Sequence, residues 1–207
     1  MRLNAALLAL GLLSVPLHAS QASGPVPTVE RPFVLAIDAG HGGSNDGCTA
    51  FDGVVHEKDL TLAMAAELQA VLRQRLPHAQ VVLTRSGDET VTLAERVARA
   101  NAAGADLLIS LHANASPTGP QTGFETYVLE AGLAEREAAR VAAANGGPPR
   151  DQAAAMIREL QLRTHRARAL GFAHRVQQEQ AERFPRRADR GVKQGTFDVL
   201  MGAAMPA

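Results

Sequence analysis

Residues Phe33-Val34-Leu35-Ala36-Ile37 form an unbroken apolar run that halts at Asp38-Ala39-Gly40-His41-Gly42-Gly43. This is the pattern of a buried strand ending in a tight glycine-rich loop, with the loop at the strand's carboxyl end. Everything else the chain does must be compatible with that one edge.

The segments that follow alternate in type. From Lys58 to Leu76 the residues Leu60, Met64, Leu68, Val71 and Leu72 recur at helical spacing, and Pro77 stops the pattern. Gln80–Thr84 reads as a second strand, and Thr92 with Glu95 forms a capping box for a helix running to about Ala103. Asp106–Leu111 is a third apolar strand ending at His112, and Gly123–Leu129 alternates like a fourth. Asp151–Phe184 is helical, with Met156, Leu160, Leu170, Ala173 and Val176 expected on its inner side. Residues 134–150 suggest a short helix and a mobile loop that could border a site. Strands alternating with helices predict an α/β fold: one domain, with a mixed, mostly parallel sheet and helices on both faces. At 207 residues the chain suits one core.

Composition narrows the partners. The formal net charge is zero, Trp is absent and aromatic residues make up 3% of the chain, so neither a basic field nor a stacking platform for nucleic acid is expected. The arginines Arg158, Arg163, Arg166, Arg168, Arg175, Arg183, Arg186, Arg187 and Arg190 are read as a solvated face rather than a patch for an anionic polymer. Arg2, the apolar stretch Ala5–Leu13 and Ser20-Gln21-Ala22 read as a signal peptide over residues 1–22, with 23–32 as a linker and the domain from 33 to 207. The stretch falls short of the roughly 20 residues a spanning helix needs, so export to the periplasm or cell envelope without stable membrane insertion is expected. Cys48, the one cysteine, has no internal partner and is read as a small filler.

Two strands thus deliver a histidine at their carboxyl ends, His41 and His112, along the edge where open α/β sheets place ligands. Glu57, just before the first helix, can reach over the same edge. Two imidazoles and one carboxylate form a familiar catalytic zinc set with a fourth position open for water. The separations in sequence are long, and the residues alone leave a metal site and a pair of satisfied polar histidines both open. No Gly-x-Ser-x-Gly elbow appears, which disfavours a serine hydrolase.

The strings Asp38-Ala39-Gly40-His41-Gly42-Gly43, His56-Glu57-Lys58-Asp59-Leu60, Thr84-Arg85 with Asp88, Leu93, Arg96 and Ala100-Asn101, and Ala105–Ala115 occur in one order. Together they closely resemble the zinc-dependent N-acetylmuramoyl-L-alanine amidases of the AmiA, AmiB and AmiC type, from about Phe33 onward. The resemblance implies one Zn2+ per chain held by His41, Glu57 and His112, with peptidoglycan as substrate. The bond cut would be the amide between the lactyl group of N-acetylmuramic acid and L-alanine. It also allows an activator protein as a partner. Asp38 is expected to orient His41 or to form the turn, Asn114 to touch substrate or shape its loop, and Arg85 and Arg96 to be structural charge partners. His56 is read as a non-ligand; His78, His165 and His174 are read as solvated.

In that family a general-base glutamate lies on a final strand, and this sequence ends at Ala207 before the matching position, so the domain is expected to be incomplete at its C-terminus. Loss of that strand would leave unpaired backbone and uncovered apolar surface. Glu125, Glu130, Glu135 and Glu137 have no context marking any one as a replacement, although Glu135 or Glu137 could cap the zinc as an inhibitory glutamate does in some relatives. The alternative reading is therefore an inactive zinc-containing domain that binds peptidoglycan, or a remnant.

Overall fold

A computed structural model describes residues 31–49, 54–114, 122–130, 132 and 152–207. The apolar run becomes strand β1 (Val34–Ala39), buried along its whole length. It is followed by α1 (Glu57–Arg75), β2 (Gln80–Leu83), α2 (Leu93–Ala102), β3 (Leu107–Leu111), β4 (Phe124–Leu129), α3 (Gln152–Arg183) and β5 (Asp189–Gly195). Residues 134–150 lie outside the described residues, as do the signal-peptide segment, Glu135 and Glu137.

β1 lies between β2 and β3 in a three-stranded parallel sheet. Side chains alternate across it. Leu35, Ile37 and Ala39 pack with Val81 and with Ala65, Leu68 and Leu72 of α1, while Val34, Ala36 and Leu108 pack with Ala100 of α2 and Ala105. Each buried Val, Leu or Ile side chain here contributes about 1.5–3 kcal/mol and each alanine methyl less, and the two clusters explain why helices cover both faces. α1 has no side-chain cap, but Glu57 and Asp59 in its first turn suit the positive end of the helix dipole. α2 starts with the expected capping box between Thr92 and Glu95.

The remaining strands form a second sheet, β4 parallel to β5, rather than extending the first. The α/β class is as expected; the strands are divided between two parallel sheets. β5 has no apolar alternation to announce it. It is held by cross-strand contacts, with Glu125 of β4 accepting from Arg190 and Lys193, and Phe197, just past the end of β5, packs edge-on against Tyr127.

α3 packs Ala169 and Ala173 on Val128, and Gln177 donates to the Phe124 carbonyl while accepting from Thr126. The expected inner positions Met156 and Leu160 are instead 66% and 58% exposed. A helix of 32 residues is about 48 Å long, and strands of this length reach only about 20 Å, so the helix overruns the sheet. The arginine face is exposed apart from Arg166, which is half-buried and donates to Gln194.

The last residues belong to the core. Met205 is 5% exposed within the cluster of Val34, Ala36 and Leu108, and the Pro206 carbonyl accepts from the Leu108 N–H.

Candidate metal centre

Register brings the two histidines together. Ala39 is paired with Leu111, and the Gly40 N–H donates to the Leu111 carbonyl, so His41 and His112 leave adjacent strands at one level. Their rings meet edge to face, with centroids 4.9 Å apart. Glu57 opens α1 beneath them. The loop is clasped to it from both sides of its backbone: the Glu57 N–H donates to the Cys48 carbonyl, and the Cys48 N–H donates to Glu57 Oε2.

The resulting cluster holds one ligand atom each from His41, Glu57 and His112, all within 4.8 Å of one another. His41 Nε2 is 3.2 Å from Glu57 Oε2, and His112 Nδ1 is 3.0 Å from Glu57 Oε1. Glu57 is buried, whereas the His112 side chain is 37% exposed, so the cluster opens to solvent on the His112 side. Burial alone would raise the Glu57 carboxyl. The N–H groups of Cys48 and Ala113, followed by His41 and His112, outweigh it and hold the group below its ordinary value. An ionised buried carboxylate facing two imidazole nitrogens is a donor set suited to a divalent metal.

Two glycines make the packing feasible. A Cβ on Gly40 would lie 2.4 Å from His112 Cε1, and one on Gly47 would lie 2.7 Å from His41 Cδ2 and 2.8 Å from Glu57 Oε2. His41 itself has φ 63°, a left-handed conformation that costs a residue with a Cβ about 1–2 kcal/mol. The surroundings must hold it there.

Asn45 is a site residue that sequence reading missed. Its Oδ1 lies 3.0 Å from His41 Nδ1 and also accepts from the Gly47 N–H. The second donor fixes which amide atom is the oxygen, so His41 Nδ1 carries a proton and donates it, leaving Nε2 to face Glu57. The only signal available was an asparagine in a glycine-rich loop.

Asp38 does not bond the His41 ring, as an orienting carboxylate would. Its oxygens accept from Thr84, Arg96 and Ser110 inside the sheet edge. Arg96 is the charge partner expected, but Arg85 is bound to the carbonyls of Ala39, Gly40, Lys58 and Gly87 and not to a carboxylate. Burial, and then the neighbouring Arg96 cation, lowers Arg85 from its ordinary value.

His56 is the N-cap of α1 and lies near the Thr49 hydroxyl, outside the cluster. Asn114 is exposed, two residues past His112. His78 and His174 are exposed as expected; His165 is half-buried, and burial, with Arg168 nearby, lowers its pKa. Glu125 is engaged by Lys193, Arg190 and Tyr127, and Glu130 follows β4, its N–H bonded to the Gly195 carbonyl. Among the described residues no second carboxylate stands with the three clustered side chains.

The chain is similar to known proteins over most of its length. Residues 35–207 match the sequence profile of the family Amidase_3, described as N-acetylmuramoyl-L-alanine amidase. The chain is 44% identical over 94 residues to the N-acetylmuramoyl-L-alanine amidase CwlM of Bacillus licheniformis, covering 45% of this chain and 35% of that protein. It is 31% identical over 173 residues to the sporulation-specific N-acetylmuramoyl-L-alanine amidase of Bacillus subtilis, covering 84% of this chain and 52% of that one. The chain thus spans about a third to a half of the length of these relatives. A solved N-acetylmuramoyl-L-alanine amidase from Clostridium difficile 630 superposes with a TM-score of 0.64 at 26% identity, covering 86% of this chain and 77% of that one.

Proposed function

We propose that this chain, which belongs to the N-acetylmuramoyl-L-alanine amidase family over residues 35–207, is a zinc-dependent hydrolase of the peptidoglycan amide between the lactyl group of N-acetylmuramic acid and L-alanine. The observation that carries this reading is the convergence of the His41 and His112 rings on the buried carboxylate of Glu57, one ligand atom from each of the three lying within 4.8 Å of the others. Two imidazoles and one carboxylate suit Zn2+, one per chain. Zinc held by these residues would supply Lewis acidity toward a carbonyl and would lower the pKa of a water to about 7.

The chain's own residues perform the positioning. Asn45 keeps the His41 proton on Nδ1, so that Nε2 is the basic nitrogen at the site. The Cys48 and Ala113 N–H groups each hold one Glu57 oxygen, which fixes the carboxylate plane and keeps it ionised. The exposed His112 edge leaves room for a stem peptide to approach. Export to the periplasm or cell envelope follows from the Arg2, Ala5–Leu13 and Ser20-Gln21-Ala22 pattern, with 23–32 as a linker. Among the described residues no helix is long and apolar enough to cross a membrane. Peptidoglycan is the substrate partner, and an activator protein is a second partner the family relationship supports.

One observation favours a second reading. Glu57 is assigned as a ligand and its two oxygens each accept from a backbone N–H, of Cys48 and of Ala113, so it is not the group that carries the proton of the attacking water. With no second carboxylate in the cluster among the described residues, the same centre could bind stem peptide without cutting it.

One experiment separates the readings. The 207-residue chain is incubated with purified peptidoglycan, with added zinc or with a chelator, and soluble stem peptide and sedimented protein are both measured. Zinc-dependent peptide release supports the hydrolase. Zinc-dependent co-sedimentation without release supports the binding domain, and neither behaviour would rule out both. His112→Ala should abolish stoichiometric zinc binding while the chain stays folded; unchanged zinc content in that variant would overturn the ligand assignment.

A further inference from the structure

Three consecutive backbone carbonyls of the site loop point inward at two buried cations. The Ala39 carbonyl accepts from Arg85 Nε at 2.8 Å and Arg96 Nη1 at 2.6 Å. The Gly40 carbonyl accepts from Arg85 Nη2 at 3.0 Å and from the Thr61 hydroxyl at 2.7 Å. The His41 carbonyl accepts from Arg96 Nη2 at 2.5 Å. Arg85 and Arg96 are 1% and 3% exposed, and together they have one buried carboxylate at hand, Asp38, itself 1% exposed and 2.8 Å from Arg96 Nη1.

Buried arginine is uncommon unless its donors are used, and these forks are spent largely on main-chain oxygens. A carbonyl drawn inward at residue 41 sets the peptide plane that follows His41. The plane before His41 is held through the Gly40 carbonyl by Arg85 and Thr61, so fixing the plane after it completes the restraint on the left-handed residue, φ 63°, whose imidazole faces Glu57. The guanidinium plane is what allows one residue to span Asp38 Oδ1, the Ala39 carbonyl and the His41 carbonyl together. Lysine keeps the charge but has no fork to span them.

We propose that Arg96 is a positioning residue for the metal centre, clamping the His41 carbonyl to Asp38 so that His41 is held in the one backbone conformation from which its ring meets Glu57 and His112. This inference rests on the metal reading of the cluster. The role is distinct from stabilising the fold, because the contact that matters is at His41 and acts on ligand geometry. Asp38 thus influences His41 through Arg96 and the main chain, not through the ring.

The test compares the 207-residue wild-type chain with Arg96→Lys, Arg96→Gln and Val97→Ala. Val97 is the buried neighbour on α2 and a purely packing control. Zinc affinity is measured by competition with a chromophoric chelator, the visible absorption of the cobalt-substituted chain reports ligand geometry, and urea unfolding of the metal-free chains reports stability. Arg96→Lys should bind zinc at least tenfold more weakly and shift the cobalt bands, while Val97→Ala loses stability yet keeps wild-type zinc affinity and spectrum. Arg96→Gln is read the same way, so that either folded variant decides. Wild-type zinc affinity and an unchanged cobalt spectrum in a folded Arg96 variant would overturn the proposal alone. A wild-type chain that binds no zinc would overturn the metal reading, and this proposal with it.

Discussion

Gly40 lies directly against the ring of His112, close enough that a Cβ there would sit 2.4 Å from Cε1, 2.6 Å from Nε2 and 2.8 Å from Nδ1. The glycine is therefore the floor on which a candidate ligand rests, and its lack of a side chain sets where that ligand can be. Gly40→Ala should push the ring away from Glu57. Because His112 is partly exposed and can turn outward, the fold should lose no more than about 1–2 kcal/mol, at the low end for overpacking. Zinc affinity should fall at least tenfold by isothermal titration. Undiminished affinity in the folded variant would show that His112 does not depend on this contact.

Asn45 offers a test at the other histidine. It is exposed, so Asn45→Ala should leave unfolding unchanged, yet it removes the acceptor of the His41 Nδ1 proton. Outer partners of metal-bound histidines typically contribute about 10–100-fold in affinity. A loss in that range is expected from chelator competition, and a variant indistinguishable from wild type would mean that the ring needs no such anchor.

A pH effect is expected in the second sheet. Glu125 is held down to about 2 from its usual 4.5, first by Lys193 and then by Arg190 and Tyr127, against the opposing effect of burial. A carboxyl whose folded pKa is depressed adds stability that is complete above the unfolded value and lost as pH falls through the folded one. Stability should therefore drop between pH 4.5 and about 2. Glu125→Gln should be less stable than wild type near neutrality and should flatten that part of the profile. Urea midpoints at about pH 6 and about pH 3 measure both; parallel profiles for the two proteins would contradict the assignment.

Much of the first sheet could be read from the chain, because the signals are local. A continuous apolar run marks β1, helical spacing marks α1, and Thr92 with Glu95 marks the start of α2. β5 could not be read in the same way. It carries Arg190, Lys193 and Gln194, and its place is set by Glu125 on another strand and by α3 above it. Met156 and Leu160 fit a helical period, but period does not reveal how far the partner sheet extends. At the centre, the residues alone allowed either a metal site or satisfied polar histidines. The resemblance to a family pointed to the first, and the register between β1 and β3 supplies the proximity that neither residue states by itself. The inward role of Arg85 and Arg96 was hidden because arginine is ordinarily a surface residue, and nothing in its immediate neighbours says that it is enclosed.

The closing segment carries more of the stability than its irregular backbone suggests. Met205 is 5% exposed against Val34, Ala36 and Leu108, and the next residue, Pro206, accepts from the Leu108 N–H, so its side chain closes one face of the first sheet. Truncating a methionine so enclosed removes both the transferred surface and the contacts around it, typically about 2–5 kcal/mol. Met156 has the same side chain at 66% exposure and little to lose. Met205→Ala should lower the urea midpoint by an amount corresponding to at least about 2 kcal/mol, while Met156→Ala should stay within about 0.5 kcal/mol of wild type. Equal effects from the two substitutions would mean that the segment after Gly202 is not packed on β3 in solution, and that the first sheet is closed by something else.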